Sequence, residues 1–378
     1  MKDGTYEEEL RLVDPEAATM SAPVRGLVKI DFPKMRSLEL KPDVYGDELT
    51  QCVFADKDVL GLYIRARTVM SKHKLRLSIA IEPSEHELND LRWELLRDPV
   101  DKKLLATSDD VWLSRFMFSK DWRSVPRHSR TQLRAVIAVA APTDYAEWQL
   151  AEIKLDDEIA RGRNALSGIP VEVLGDTEPC TLDRLIKALR GGADIVYLVC
   201  HGIHRSPSAP SVYLQNESGQ TEVVHGKVLA DRIGDMAEAP RMMVLASCES
   251  ATRLEYSLAT MLADAGVSAV LAMQGKISMA TVKGVMPPFF HQLFIDGQID
   301  RALAIARGGV RAHSDAWMPA LFLRLKNGQL WYEPRLTGSN NAPPQWKALC
   351  QCVRNGARAD HRAGPRRGHV RRNACAGK

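Results

Sequence analysis

Asp194-Ile195-Val196-Tyr197-Leu198-Val199-Cys200-His201-Gly202 is an apolar run that stops on a histidine and a glycine. Short, partly β-branched and closed by a turn residue, it reads as a strand buried on both faces, the kind found in parallel sheets. A second run, Arg241-Met242-Met243-Val244-Leu245-Ala246, stops on Ser247-Cys248-Glu249-Ser250. Outward from these two, Ala135–Ala140 and Val267–Met273 repeat the pattern. Amphipathic helical spacing fills the intervals near 146–166, 181–190, 226–236 and 255–265, and two more helical stretches follow at 278–296 and 298–312. Buried strands alternating with helices predict an α/β fold, a three-layer α/β/α sandwich around a mostly parallel sheet. A last strand pair, 319–324 and 329–333, flanks Asn327-Gly328 and is expected as a hairpin.

The flanks read differently. Residues 1–47 hold short β-like pieces, Leu10–Val13 and Gly26–Phe32, and are expected as a small N-terminal extension. Asp47 caps a helical pattern over 48–72, Leu75–Ile81 alternates as a strand, and Ser84-Glu85-His86-Glu87 opens a helix through Leu96. From about Thr337 the chain turns to Gly338-Ser339-Asn340-Asn341-Ala342-Pro343-Pro344 and then to an Arg-, Gly- and Ala-rich end. The expected organisation is therefore an extension over 1–47, one large domain over 48–335, and a linker with a disordered or loosely held basic tail over 336–378.

The 378 residues are 45% hydrophobic and 26% charged, ordinary soluble globular material. The net charge of +4 is concentrated in the tail: residues 347–378 carry nine Lys/Arg against one Asp, and the rest of the chain is mildly acidic. Nothing in that body calls for nucleic acid. No apolar run approaches the ~20 residues of a membrane span, and the acidic start is no secretory signal, so a cytoplasmic location is the default. Seven scattered cysteines, an odd number, read as free thiols in a reducing compartment.

In an open parallel sheet, functional groups gather at the carboxyl ends of the strands. His201 and Cys248 stand at two such ends, with a helix near 226–236 between them as a crossover. A free thiol has a pKa of about 8.5, so its thiolate is scarce at neutral pH until an imidazole takes the proton. The same imidazole then protonates the leaving amine. Gly202 leaves its backbone open to approach, and its N–H is suited to a developing oxyanion. Ser247 and Glu249 flank the thiol and line the site. A strand ending in Cys-His-Gly also reads as core followed by a turn, and a cysteine ending another strand as a small core residue.

These segments resemble the CHAT family, a branch of the caspase-like, separase-related cysteine peptidases. Leu91-Arg92-Trp93-Glu94-Leu95-Leu96 is similar to its L-x-W-E-L-L segment, Val199-Cys200-His201-Gly202 to its histidine motif and Ala246-Ser247-Cys248-Glu249-Ser250 to its cysteine motif. Leu271-Ala272-Met273-Gln274 resembles the strand that follows, and Trp317-Met318-Pro319-Ala320-Leu321-Phe322 the closing strand. The resemblance implies the caspase-haemoglobinase fold, a His201–Cys248 dyad with Gly202 as an oxyanion donor, and no metal or organic cofactor. It also implies a protein substrate, and a regulatory or sensor partner for what is commonly a bacterial effector. In related metacaspases an Asp two residues before the nucleophile receives a basic P1 side chain; Ala246 stands there, so no such preference is implied.

A second class stays open, a catalytically silent interaction or regulatory module on the same fold. Trp93 and Glu94 also read as interface and structural residues, and Asp144 and Tyr145 as strand-end residues that line a cleft. Cys350, Cys352, His361, His369 and Cys375 are metal-ligand types without zinc-site spacing. No phosphate-cradling glycine loop or G-x-S-x-G elbow is present.

Overall fold

The computed structural model describes residues 4–14, 19–69, 74–82, 84–118, 128–203, 210–246, 254–275, 277–325, 327–333 and 346–355. Three strands come first: β1 (Thr5–Asp14), β2 (Thr19–Met20) and β3 (Val24–Lys29). Helix α1 (Phe32–Ser37) starts at Asp31, whose carboxylate accepts from the Lys34 N–H. Helices α2 (Pro42–Val53) and α3 (Lys57–Val69) stand where periodicity predicts one helix over 48–72. The break is made by Asp56, whose Oδ1 accepts from the Asp58 and Val59 N–H groups and caps a new helix. Strand β4 (Lys74–Ile81) leads to a short α4 (His86–Asn89). The helix expected through Leu96 stops there. The Asn89 amide bonds back to the Glu82 and Glu85 carbonyls, and a 3-10 turn, Trp93–Leu95, follows.

The remaining elements are β5 (Val111–Phe116), β6 (Ala135–Val139), α5 (Leu155–Ala165), β7 (Val171–Leu174), α6 (Leu182–Arg190) and β8 (Ile195–Val199). After them come β9 (His201–Ile203), β10 (Ser211–Gln215), β11 (Thr221–His225), α7 (Gly226–Gly234), β12 (Met242–Leu245) and α8 (Leu254–Asp264). The last are β13 (Ala269–Met273), α9 (Met279–Asp296), α10 (Ile299–Gly309), β14 (Pro319–Leu323) and β15 (Trp346–Asn355).

One sheet runs in the order β2-β1-β15-β4-β5-β14-β13-β12-β8-β6-β7, with β3 also paired to β1, and β9, β10 and β11 form a separate three-stranded sheet. From β12 to β7 every pairing is parallel, and β13 pairs parallel to β12 and antiparallel to β14. Strand alternation sorts the side chains onto two faces. Ile137, Tyr197, Val244 and Leu271 point to a core closed by α5, α9 and α10. Val136, Val196, Met243 and Val270 point to one closed by α6, α7 and α8. These are the two outer layers of an α/β/α sandwich. Strands β4 and β5 bury Leu75, Leu77, Ile79 and Leu113 against the N-terminal helices in a third cluster.

Two expectations are corrected. Residues 346–355, placed in a loosely held tail, form β15, which pairs antiparallel with β1 from Val13↔Ala348 to Tyr6↔Asn355 and parallel with β4. The hairpin over 319–333 does not form. Among the described residues between β14 and β15 the chain makes an isolated bridge, Gln298↔Gln329, in place of a second strand. Leu330 and Trp331 are drawn into the core instead, where the Trp331 indole donates to the Leu293 carbonyl at 2.9 Å. Gly297, at φ 78° after α9, makes the turn that receives them, its carbonyl accepting from the Leu330 N–H. Among the described residues no helix is long and apolar enough to cross a membrane.

Candidate active site

Strands β8 and β12 are adjacent and parallel, with Leu198 opposite Leu245. The pairing continues one residue further, where the Ala246 N–H donates to the Leu198 carbonyl at 2.9 Å. Two strands in register thus reach one sheet edge side by side, one continuing to His201 and the other towards Cys248. The separation in sequence is larger than one crossover helix requires because the β9–β11 meander precedes α7. Ser247, Cys248, Glu249 and Ser250 lie outside the described residues.

His201 is buried and begins β9. It faces Tyr213 across the antiparallel pairing with β10, and Tyr213 faces Val223 on β11, so the three side chains share one face. The His201 Nε2 lies 2.8 Å from the Ala151 carbonyl oxygen. A carbonyl only accepts, so Nε2 carries the proton, and in the neutral ring Nδ1 keeps the lone pair. That is the state a general base needs. Gly202 follows in β9 opposite Val212.

The segment carrying Ala151 is a strap over the meander. The Thr143 N–H donates to the Gly219 carbonyl at 3.0 Å. Asp144 Oδ1 accepts from both the N–H and the hydroxyl of Thr221, each at 2.7 Å, and Oδ2 accepts from the Trp148 indole at 3.2 Å. Burial pushes the Asp144 carboxyl up, but these hydrogen bonds outweigh it and hold the group below the usual carboxylate range. The Trp148 ring leans on Tyr213 with centroids 5.7 Å apart. Asp144, expected at a strand end, is there, but its carboxylate is spent on Thr221 and Trp148. Sequence reasoning missed Ala151, Trp148, Tyr213 and Thr221. The available signal was the turn Asn216-Glu217-Ser218-Gly219 between two alternating runs, a hairpin pattern inside what reads as a crossover.

Trp93 and Glu94 are structural. The Trp93 indole donates to the Leu88 carbonyl at 2.8 Å. Glu94 receives Arg115 through both carboxylate oxygens, at 2.9 and 2.5 Å, and the Gln274 amide at 2.8 Å. Burial raises the Glu94 carboxyl, yet Arg115 outweighs that and leaves it lowered, while burial pulls the Arg307 guanidinium down to about 10. Ala246 packs against the apolar core beside β12 and offers no charge to a basic side chain. Cys350 and Cys352 fall in β15, while His361, His369 and Cys375 lie outside the described residues.

A CHAT domain model matches residues 45–354. The chain belongs to the CHAT family. The match takes in β15 as far as Arg354 and leaves strands β1–β3 ahead of it. No curated protein matches the CHAT chain in sequence. Among solved structures it is similar to the Arg-specific cysteine proteinase gingipain R, at 10% identity over 80% of this chain and 76% of that one, with a TM-score of 0.43. A complex of Porphyromonas gingivalis RgpB pro- and mature domains matches at 12% identity over 79% and 78%, TM-score 0.41. The Saccharomyces cerevisiae separase–securin complex matches at 10% identity and TM-score 0.39, over 74% of this chain and 18% of that one.

Proposed function

We propose that this CHAT protein is a cysteine endopeptidase in which Cys248 attacks the scissile carbonyl of a protein substrate and His201 moves the proton. The reading rests above all on one observation: His201 leaves β8 beside β12, the strand that leads to Cys248, with its Nε2 proton committed to the Ala151 carbonyl. Nδ1 accepts the thiol proton, the thiolate adds to the carbonyl carbon, and the imidazolium returns that proton to the departing amine. Water then hydrolyses the thioester, with His201 again as base. Gly202 adds no side chain beside the imidazole. The enzyme acts as a regulated effector, its cleavage waiting on a partner protein.

Selective alkylation tests this. Iodoacetamide or a peptidyl electrophile labels Cys248 in the native protein and fails to do so in His201→Ala. Two competing thiols are disfavoured, because burial pushes Cys180 up to about 12 and also raises half-buried Cys52. Equal labelling of several cysteines, or undiminished labelling in His201→Ala, points to a silent interaction module. Comparing new protein N-termini in cells expressing wild type or Cys248→Ala then identifies substrates.

A further inference from the structure

The loop between β6 and α5 does more than connect. Its carbonyl at Ala151 is the partner of His201 Nε2. The loop's backbone closes its own turn through Gln149 to Ala146 and Leu150 to Tyr145, and reaches the meander from Thr143 to Gly219. Side chains add further ties across the meander. Asp144 Oδ1 takes two hydrogen bonds from Thr221 on β11, Oδ2 takes one from Trp148, and Trp148 rests on Tyr213, the residue opposite His201. Asp144 therefore ties the first part of the strap to one edge strand, β11, of the sheet that carries the histidine on its opposite edge, β9.

We infer that Asp144 is a positioning residue for His201: by stapling the strap to β11 it keeps the Ala151 carbonyl on Nε2 and so leaves Nδ1 as the nitrogen that takes a proton. This deepens, and rests on, the peptidase reading. The groups facing the staple are Thr221, Trp148, Thr143 and the Gly219 carbonyl, none of them charged, so the carboxylate acts through hydrogen bonds and not as a partner in an ion pair.

The test uses full-length protein with 15N-labelled histidine. The His201 Nε2–H resonance is assigned by its loss in His201→Gln, and its exchange with solvent is measured. Wild type shows slow exchange. Asp144→Ala exchanges at least about tenfold faster, in keeping with the loss of several charge-assisted hydrogen bonds. Asp144→Asn restores most of the protection, because an amide oxygen still accepts both Thr221 donors and only the Trp148 indole loses its acceptor. Thr221→Val, which removes the hydroxyl and keeps the N–H, falls between and serves if Asp144→Ala does not fold. For Cys248 inactivation by a peptidyl electrophile, Asp144→Ala lowers kinact about 10²-fold and leaves KI unchanged, as expected for misplacement of a base by about 1 Å. Unchanged exchange in Asp144→Ala, or Asn behaving as Ala does, overturns the proposal. The resonance is read without turnover, so a protected Nε2–H in a protein whose Cys248 never reacts removes the peptidase reading and leaves the staple standing.

Discussion

The interior of the large sheet and the seam that joins its two halves hold together by different physics. From β14 to β7 the strands lie in continuous ladders between two apolar cores, and alternate residues of each strand serve opposite sides. At the seam between β5 and β14 the ladder shrinks to two residue pairs, Phe322↔Arg115 and Leu323↔Phe116. Buried charge takes over there. Arg76 on β4 meets Asp300 of α10, with Gln298 as a further acceptor at 2.6 Å. Glu94 and Arg115 take in Gln274 from the end of β13, and Arg307 donates to the Pro319 carbonyl at 2.9 Å through Nε. Apolar layers tolerate small shifts, whereas fork-shaped charge pairs hold a fixed geometry. The seam therefore sets how β5 sits against the site-bearing half.

The largest effect that separates the halves is removal of β15. Protein ending before Trp346 leaves β1 and β4 without their shared partner, so limited proteolysis cuts within residues 1–118 early while β6 through β13 stay protected. Equal resistance in both halves breaks the comparison. Next, Glu94→Ala strands Arg115 in the interior and costs about 3–5 kcal/mol by urea unfolding. It also speeds hydrogen exchange at the Met117 N–H, which donates to Leu323 across the seam at 2.7 Å. A loss below about 1 kcal/mol, the worth of an exposed pair, means the seam is not held by charge. The third test is pH. With Glu94 lowered from its ordinary 4.5, its contribution is complete above that value and fades as pH falls through the lower folded value. Melting temperature in wild type drops across that acid range, and Glu94→Gln flattens the drop. Smallest is Ser278→Ala. It removes the cap whose hydroxyl accepts from the Thr281 N–H at the start of α9, and it costs about 1 kcal/mol while leaving exchange at the seam unaltered.

Legibility followed the same division. In the site-bearing half, the runs ending at Val199, Leu245 and Met273 announce themselves because burial on both faces demands unbroken apolar sequence. The strand ends at His201 and before Cys248 were readable for that reason. Strand β15 was not: Leu349-Cys350-Gln351-Cys352-Val353-Arg354 lies in a basic, glycine-rich end, and its place depends on β1 and β4, which are distant in sequence. The Asn327-Gly328 turn was read correctly, with Gly328 at φ 63°, but the strand it should launch was claimed by the pocket under α9. The strap was invisible for a simpler reason. A backbone carbonyl such as that of Ala151 carries no residue signature, and the tie between Asp144 and Thr221 exists only once two loops meet.

Register also imposes a timetable. Tyr6 pairs with Asn355, and Lys74 with Trp346, so the slot between β1 and β4 stays vacant until residues 346–355 have left the ribosome. Early segments must wait with open strand edges, which invites chaperone attention and slow, late closure. Such a delay keeps the amino-terminal strands from settling until synthesis has passed Asn355, well beyond the strands that lead to His201 and Cys248.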